Sequence, residues 1–571
     1  MDRGIDWDHP DFIRPDGTTR IKWLFDMSLD HPAPVEFSEA QINAALLGGT
    51  PINSRDAVGH GTVTAGLAAG NGSAVTGADF RGMAPNADLI IVKVTSEGAS
   101  AHGSQPAETP FNASYVAALD WVDQKITQLG QPAVGLFNSG TQYGPLDGTS
   151  AVSEKIDEVF GSNRPGRVYV APSGDEGNLP NHAKATFDNV IPTVIGFNKP
   201  LAQTAYMPMW YSGNQPANIT INFDDGTTIG PVGPHQFVNE NGVRLYHFLP
   251  GANSSGQFLT SSGGDRLVYV RIVGHATGGN IVVEGLSPGT GTIDLYSTLG
   301  SGLTAAIPFT DHLTAGRLTD FATTNSAIVA GAHVLLTNYV DVNGISRQIL
   351  GEGAVEDLYF QSSAGPTRDG RLHGVDITAP GHNAFAAYAQ ESYWNTFSFN
   401  LAEDSDGWYG RGGATSGSAP LVVGGIALLL EQFPQLTADE IRDVLHATAR
   451  TDSFTGTTPN AAWGYGKLDI LAALDELHGV PDSADFNGDN LVDGSDFLTW
   501  QRNAGTVGPM ATHANGDANG DDQINAADLV VWELQYGSAP PLAAIAAVPE
   551  PSTCVLALAA LCLAMSKRRS F

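Results

Sequence analysis

Gly413-Ala414-Thr415-Ser416-Gly417-Ser418-Ala419-Pro420, followed by the apolar run Leu421 to Leu430, is the stretch on which the reading of the fold turns. Small residues and a hydroxyl lead from a loop into a buried helix, and Pro420 falls in the first turn, where a missing N–H costs little. Ser416 is thereby placed at a helix N-terminus. There the backbone N–H groups have no partner within the helix and the dipole favours negative charge, which suits an attacked carbonyl oxygen. Serine in that position is also a common cap. A nucleophilic reading therefore needs a base and an orienting acid elsewhere.

Both are present. Gly59-His60-Gly61-Thr62-Val63-Thr64-Ala65-Gly66 sets a histidine at the mouth of a small-residue helix, and Asp2-Arg3-Gly4-Ile5-Asp6 sets a carboxylate at a turn. Asp, then His, then Ser is the chain order of subtilisin. With it go Arg81-Gly82-Met83-Ala84-Pro85-Asn86-Ala87, Ser362 to Arg371, Asp376-Ile377-Thr378-Ala379-Pro380-Gly381 and Trp463-Gly464-Tyr465-Gly466-Lys467-Leu468-Asp469. Together these blocks resemble, in family order, the subtilisin-like serine proteases (subtilases, peptidase family S8). The resemblance implies an α/β fold, a parallel sheet with helices on both faces, and a triad of Asp2, His60 and Ser416. It also puts Asp175, in Val170-Ala171-Pro172-Ser173-Gly174-Asp175-Glu176-Gly177-Asn178, where the family carries its oxyanion-hole Asn.

Outward from these blocks, β-branched runs alternate with helical patterns from Asp2 to about Pro200, the mark of a parallel sheet. Leu89 to Val94 and Val168 to Ala171 read as strands, and Ala113 to Leu129 as a helix with a core stripe at Val116, Leu119, Val122 and Ile126. Phe137-Asn138-Ser139-Gly140 resembles the family strand that pairs with the substrate backbone. Between residues 201 and 318 helical periodicity gives way to short alternating runs separated by Gly, Asp and Asn turns, which read as an inserted β-sandwich of jelly-roll kind. The expected division is thus 1–200 and 319–479 for the two parts of a catalytic domain around that insert. His9, His182, His373 and His382 have no constellation about them and read as surface or satisfied residues. Glu356 to Ser362 resembles a viral protease cleavage site, and its place matches an expected family strand.

After Gly479 the chain repeats itself. Asp485, Asn487, Asp489, Asp493 and Asp496 recur as Asp517, Asn519, Asp521, Asn525 and Asp528, oxygen ligands at EF-hand-like spacing, each loop running into an apolar helix start. Calcium is the reading of two such loops in one register. The pair, residues 480–540, resembles a type I dockerin module, here with a small α-helical fold and loops ending in Asp instead of Glu. The resemblance implies a cohesin-like partner; a bare calcium-stabilised module is the alternative. In residues 541–571, Val548-Pro549-Glu550-Pro551 opens an apolar run ended by Lys567-Arg568-Arg569. That run would rise only about 20 Å as a helix, short of a hydrocarbon core of about 30 Å. It resembles a PEP-CTERM sorting tail, which implies an exosortase, transient contact with the inner membrane of a Gram-negative bacterium, and an extracellular or cell-surface destination.

Composition narrows the partners. With 571 residues and 42% hydrophobic content, the chain can bury several cores. A net charge of −32 excludes the basic footprint of a nucleic-acid binder. Both cysteines, Cys554 and Cys562, fall in the last apolar run, so no disulfide framework serves the rest. Because the sequence starts one residue before Asp2, it reads as a fragment or a late start, without a signal or pro-segment. The expected activity is that of a secreted or surface-attached serine endopeptidase acting on protein or peptide substrates. A catalytically impaired pseudoenzyme, or a surface scaffold built on the C-terminal modules, is the alternative.

Overall fold

The computed structural model describes residues 1–28, 33–77, 80–94, 114–199, 203–248, 260–299, 307–371, 374–478, 483–489, 491–519 and 523–537. Asp521, His373, both cysteines and the whole of the C-terminal tail lie outside the described residues. The chain forms two compact units, Met1–Ala473 and Leu474–Phe571.

In the first unit the β-branched runs form parallel strands, a central one of them apolar apart from His333 and covered on both faces. Ala327–Val334 is buried at every position. Ile377–His382, Ala327–Val334, Arg167–Pro172 and Ala133–Leu136 form one parallel sheet in that order, while Leu89–Lys93 pairs in parallel with Ile21–Asp26. The first two residues knit these sets together. Asp2 N–H donates to Val92 O (3.0 Å) and Asp2 O accepts from Val94 N–H (2.9 Å), while the Met1 ammonium donates to Leu136 O (2.8 Å). Asp2 therefore sits at the carboxyl edge of the strands, where open α/β sheets bind their ligands.

Helices Tyr115–Leu129 and Ala151–Phe160, capped by the Ser114 and Ser150 hydroxyls, bury Leu119, Ile126, Ile156 and Phe160 in a core shared with Phe137, Tyr169 and Phe321. The Phe137 and Phe321 rings lie 4.1 Å apart, and truncating either to Ala removes a packing contribution of about 3–5 kcal/mol. Helices His60–Ala69 and Thr415–Gln432 pack against each other, the second lying along the four-stranded sheet. Thr437 begins helix Ala438–Ala447 with a capping box to Glu440.

Residues between Asn181 and Phe309 build two antiparallel sheets. One runs Phe237–Glu240, Val243–His247, Asp265–Ile272, Ala205–Ser212, Gly291–Tyr296, His182–Phe187; the other runs Thr228–Val232, Ala217–Phe223, Gly279–Gly285, Thr193–Phe197. Ile195, Met209, Ile221, Val270, Ile281 and Leu295 meet in one core between them. The sandwich thus begins at His182, not at residue 201. His182–Phe187 and Thr193–Phe197 sit next to catalytic-domain sequence, but their partners are the distant Gly291–Tyr296 and Gly279–Gly285. Glu356 to Ser362 is turn and loop around a single bridge residue, Leu358 opposite His333, and is tied to strand Ala327–Val334 by Glu356 N–H to Val334 O, Val334 N–H to Asp357 O, Tyr359 N–H to Ala332 O and Ala332 N–H to Ser362 Oγ.

In the second unit, Asp493 and Asn525 cap helices Gly494–Asn503 and Ala526–Gln535, with Asp496 and Asp528 completing the capping boxes. Trp500 Nε1 donates to Asn525 O (2.8 Å) and Trp532 Nε1 to Asp493 O (2.9 Å), so each helix holds the other repeat's loop. Val492 and Ile524, matched in the two repeats, are both fully buried.

Candidate active site

His60 opens its helix behind Gly59, whose φ of 105° suits only glycine, and Gly61 passes so close to Gly4 that a Cβ would lie 2.0 Å from its carbonyl oxygen. This close approach brings His60 Nδ1 to 2.8 Å and 2.9 Å from the two carboxylate oxygens of Asp2. Thr64 Oγ1, one turn along, donates to Asp2 Oδ2 (2.9 Å), and Arg3 N–H donates to Asp2 Oδ1 (2.6 Å). Burial pushes the Asp2 carboxyl upward, but the positive charge of a protonated His60, its hydrogen bond and that of the Arg3 N–H hold it below the usual carboxylate range. The edge of Trp394 packs on the imidazole at 5.6 Å.

Ser416 lies in the first turn of Thr415–Gln432, as its sequence context requires. A Cβ on Gly417 would stand 2.2 Å from Gly381 O, so glycines on both sides let the helix start abut the end of strand Ile377–His382. Ser418 Oγ ties the two together through Ala379 O (2.9 Å). Three successive N–H groups then differ. Ala414 N–H donates to His382 Nδ1 (2.8 Å) and Thr415 N–H to Asp175 Oδ1 (3.0 Å). Among the described residues, Ser416 N–H has no hydrogen-bond acceptor. An oxygen carrying developing negative charge would find one donor there.

Asn138 bridges the two helices: its Nδ2 donates to Thr64 Oγ1 (2.7 Å) and to Ser416 O (2.8 Å). Phe137 and Asn138 follow strand Ala133–Leu136 and are buried, so this segment braces the site through Asn138 and leaves Ser139 exposed. Among the described residues no hydrogen bond joins Ser416 Oγ to His60. Asp175 lies within electrostatic reach of His60, whose charge acts on its carboxyl.

Asp175 stands beside Ser416, as the sequence order predicts, but as an acceptor. Its Oδ1 takes both the Thr415 N–H and the Thr415 hydroxyl, each at 3.0 Å. Burial raises its pKa, partly offset by those two donors and by the charges of His382 and His60. Neighbouring Glu176 is pushed up to about 7 by burial and by the Asp175 charge.

Of the histidines read as satisfied, His9 is buried with Nδ1 accepting from Asp11 N–H, and His182 bonds Ala315 O and Asp294. His382 is satisfied too, but by the loop that carries Ser416, a role its sequence neighbourhood did not reveal. The one available signal was its place directly after the Thr378 to Gly381 block.

In the C-terminal unit the described parts of the two loops make matching hydrogen bonds. Phe486 N–H and Asn487 N–H donate to Asp496 Oδ1 (2.8 and 3.3 Å) and Asp493 N–H to Oδ2 (2.9 Å). Ala518, Asn519 and Asn525 repeat this at Asp528 with 2.7, 3.3 and 2.7 Å. Among the described residues no group of three His, Cys, Asp or Glu side chains forms a ready metal cage. The donors of each loop are nonetheless all oxygens. With Asp485, Asp496, Asp517 and Asp528 buried, the set suits a hard cation such as calcium.

A carboxylate-oriented imidazole and a serine at a helix N-terminus, mounted at the edge of a parallel sheet, are the elements of a serine protease of the α/β class. The model of the subtilase family of peptidase S8 matches residues 1–466, and the chain belongs to that family of serine endopeptidases. It is 31% identical over 127 residues to the serine protease AprX of Bacillus subtilis (strain 168), a match that covers 20% of this chain and 28% of AprX. The structure of the Clostridium perfringens CspB protease is similar in fold, with a TM-score of 0.64 at 21% identity over 84% of this chain and 92% of that one. Among the described residues, no helix is long and apolar enough to cross a membrane.

Proposed function

We propose that the chain is a secreted or surface-attached serine endopeptidase in which Ser416 attacks the scissile carbonyl. His60 takes the hydroxyl proton and returns it to the leaving amine, while Asp2 holds the imidazole tautomer and stabilises its cation. What supports this most directly is the pairing of His60 Nδ1 with both Asp2 oxygens beside a Ser416 N–H that has no acceptor. Asp2, whose oxygens face His60 Nδ1, would favour the imidazolium that forms when His60 takes the proton, and that cation in turn holds the Asp2 carboxyl below the ordinary range. Reaction of the full chain with a fluorophosphonate probe tests the roles: labelling at Ser416 that disappears in His60→Ala is the expected result. No labelling at Ser416 in the folded protein, with peptide hydrolysis intact, overturns them.

A second reading is favoured by Asp175, which presents an acceptor where a donor serves catalysis: an impaired, binding-only subtilase. Probe labelling without measurable peptide turnover at any pH supports that reading. The acidic loops fit calcium, which would neutralise carboxylates crowded in each loop; a cohesin-like partner for this module, and exosortase processing of the tail, follow from sequence resemblance.

A further inference from the structure

Ala414, two residues before Ser416, has φ 58° and ψ −159°. That corner of backbone space is nearly reserved for glycine, and for a residue with a Cβ it is disfavoured by on the order of tenfold to a hundredfold. Such a conformation persists only where the surroundings over-determine it. Here the surroundings can be named. Ala414 N–H donates to His382 Nδ1 at 2.8 Å, and the other ring nitrogen of His382 meets Glu352 Oε2 at 2.8 Å. Tyr359 stacks on the imidazole at 3.7 Å and 20°. Gly413 leaves room for it, since a Cβ there would come within 3.0 Å of Nδ1.

The hydrogen bonds fix the chemistry of the ring. Nδ1 accepts, so the proton of the neutral ring is on Nε2, where it donates to Glu352. Glu352 is anchored in turn: its Oε2 also accepts from Asn383 Nδ2 (3.5 Å), whose amide donates to Leu336 O (2.9 Å). The relay Glu352–His382–Ala414 N–H thus ends on the peptide that leads into the Ser416 turn.

We propose that His382, oriented by Glu352, is a positioning residue: it clamps Ala414 in a glycine-like conformation and so aims the Ser416 hydroxyl and N–H at the substrate carbonyl. This rests on Ser416 being the nucleophile. Without the clamp, Ala414 relaxes to an ordinary negative φ and the first turn of the helix rotates away. The clamp acts on the turn that carries Ser416, so the loss is expected to fall on kcat.

The test is a cycle between His382 and Ala414, with kcat and KM measured on a peptide substrate and thermal melting recorded for each variant. His382→Ala is expected to lower kcat by roughly tenfold or more with KM within about twofold. His382→Asn, whose Oδ1 falls close to the place of Nδ1, is expected to recover most of that loss. In an Ala414→Gly background the His382→Ala loss should shrink to under about threefold, because glycine needs no clamp. An equal loss in both backgrounds, or full kcat in a folded His382→Ala, overturns the proposal. If His382→Ala does not melt cooperatively, Glu352→Ala with and without Ala414→Gly makes the same comparison. Ser416→Ala separates the two readings: activity that survives it removes the nucleophile, whereas a dead Ser416→Ala beside a fully active His382→Ala removes only the clamp.

Discussion

Replacing Asp175 with Asn is expected to make the enzyme faster. The oxyanion of a tetrahedral intermediate is stabilised by donors, and an ionised carboxylate has none. In the structure one carboxylate oxygen is committed to Thr415, accepting its N–H and its hydroxyl at 3.0 Å each. An Asn in the same pose keeps both bonds through Oδ1 and presents its NH₂ where the second oxygen now lies. Loss of one such donor costs about 10²–10³ in kcat elsewhere, or about 2.7–4 kcal/mol, so a gain of at least ~10-fold at neutral pH is expected. The pH profile carries the finer test. Burial raises the Asp175 pKa, so Asp175 keeps its proton, and with it the ability to donate, to higher pH than an ordinary carboxyl and loses both as pH rises further. His60 must be neutral to act as base, which asks for the opposite direction. Wild-type kcat should therefore be squeezed from both sides, its alkaline limb belonging to Asp175, and Asp175→Asn should abolish that limb and leave the acid one. A variant whose kcat is unchanged or lower across pH 5 to 9, or which keeps the alkaline limb, refutes the assignment of Asp175 to the oxyanion site.

Other outcomes follow from single contacts. Thr64→Val removes the donor to Asp2 and the acceptor for Asn138, and should lower kcat by about tenfold at unchanged KM. Gly417→Ala puts a Cβ 2.2 Å from Gly381 O and should cost about 3 kcal/mol or more by denaturant titration, with probe labelling lost. Buried His333, with neither ring nitrogen hydrogen-bonded among the described residues, has its pKa lowered by burial to about 4. The unfolded chain binds the extra proton from about pH 6.5 downward, so this stability is complete above that pH and lost as pH falls toward 4; His333→Leu should flatten the fall in Tm over that window. Millimolar calcium should slow amide exchange in residues 485–489 and 491–496 of the full chain by at least about tenfold, and Asp496→Asn should abolish the effect.

What the sequence disclosed and what it hid divide along the reach of the interactions. Ser416 at a helix start and the strand at Leu89 were legible because they depend on neighbours a few residues away: small residues before an apolar run, β-branching without a break. The pairing of Asp2 with His60 and the docking of the Ser416 turn on strand Ile377–His382 follow blocks that carry their own glycines, and Gly61 and Gly417 are where backbones meet at contact distance. The start of the sandwich was not, since His182 and Thr193 choose partners about a hundred residues downstream and no local period records that choice. Nor were Asn138 and His382, each of which gains its role by hydrogen-bonding to the Ser416 segment from another strand's end. Nor was the strain at Ala414 legible, since its φ of 58° is a property of the folded backbone. A strained residue in a sequence signals that something distant must hold it; His382 is that support, and only the folded backbone brings the two within 2.8 Å.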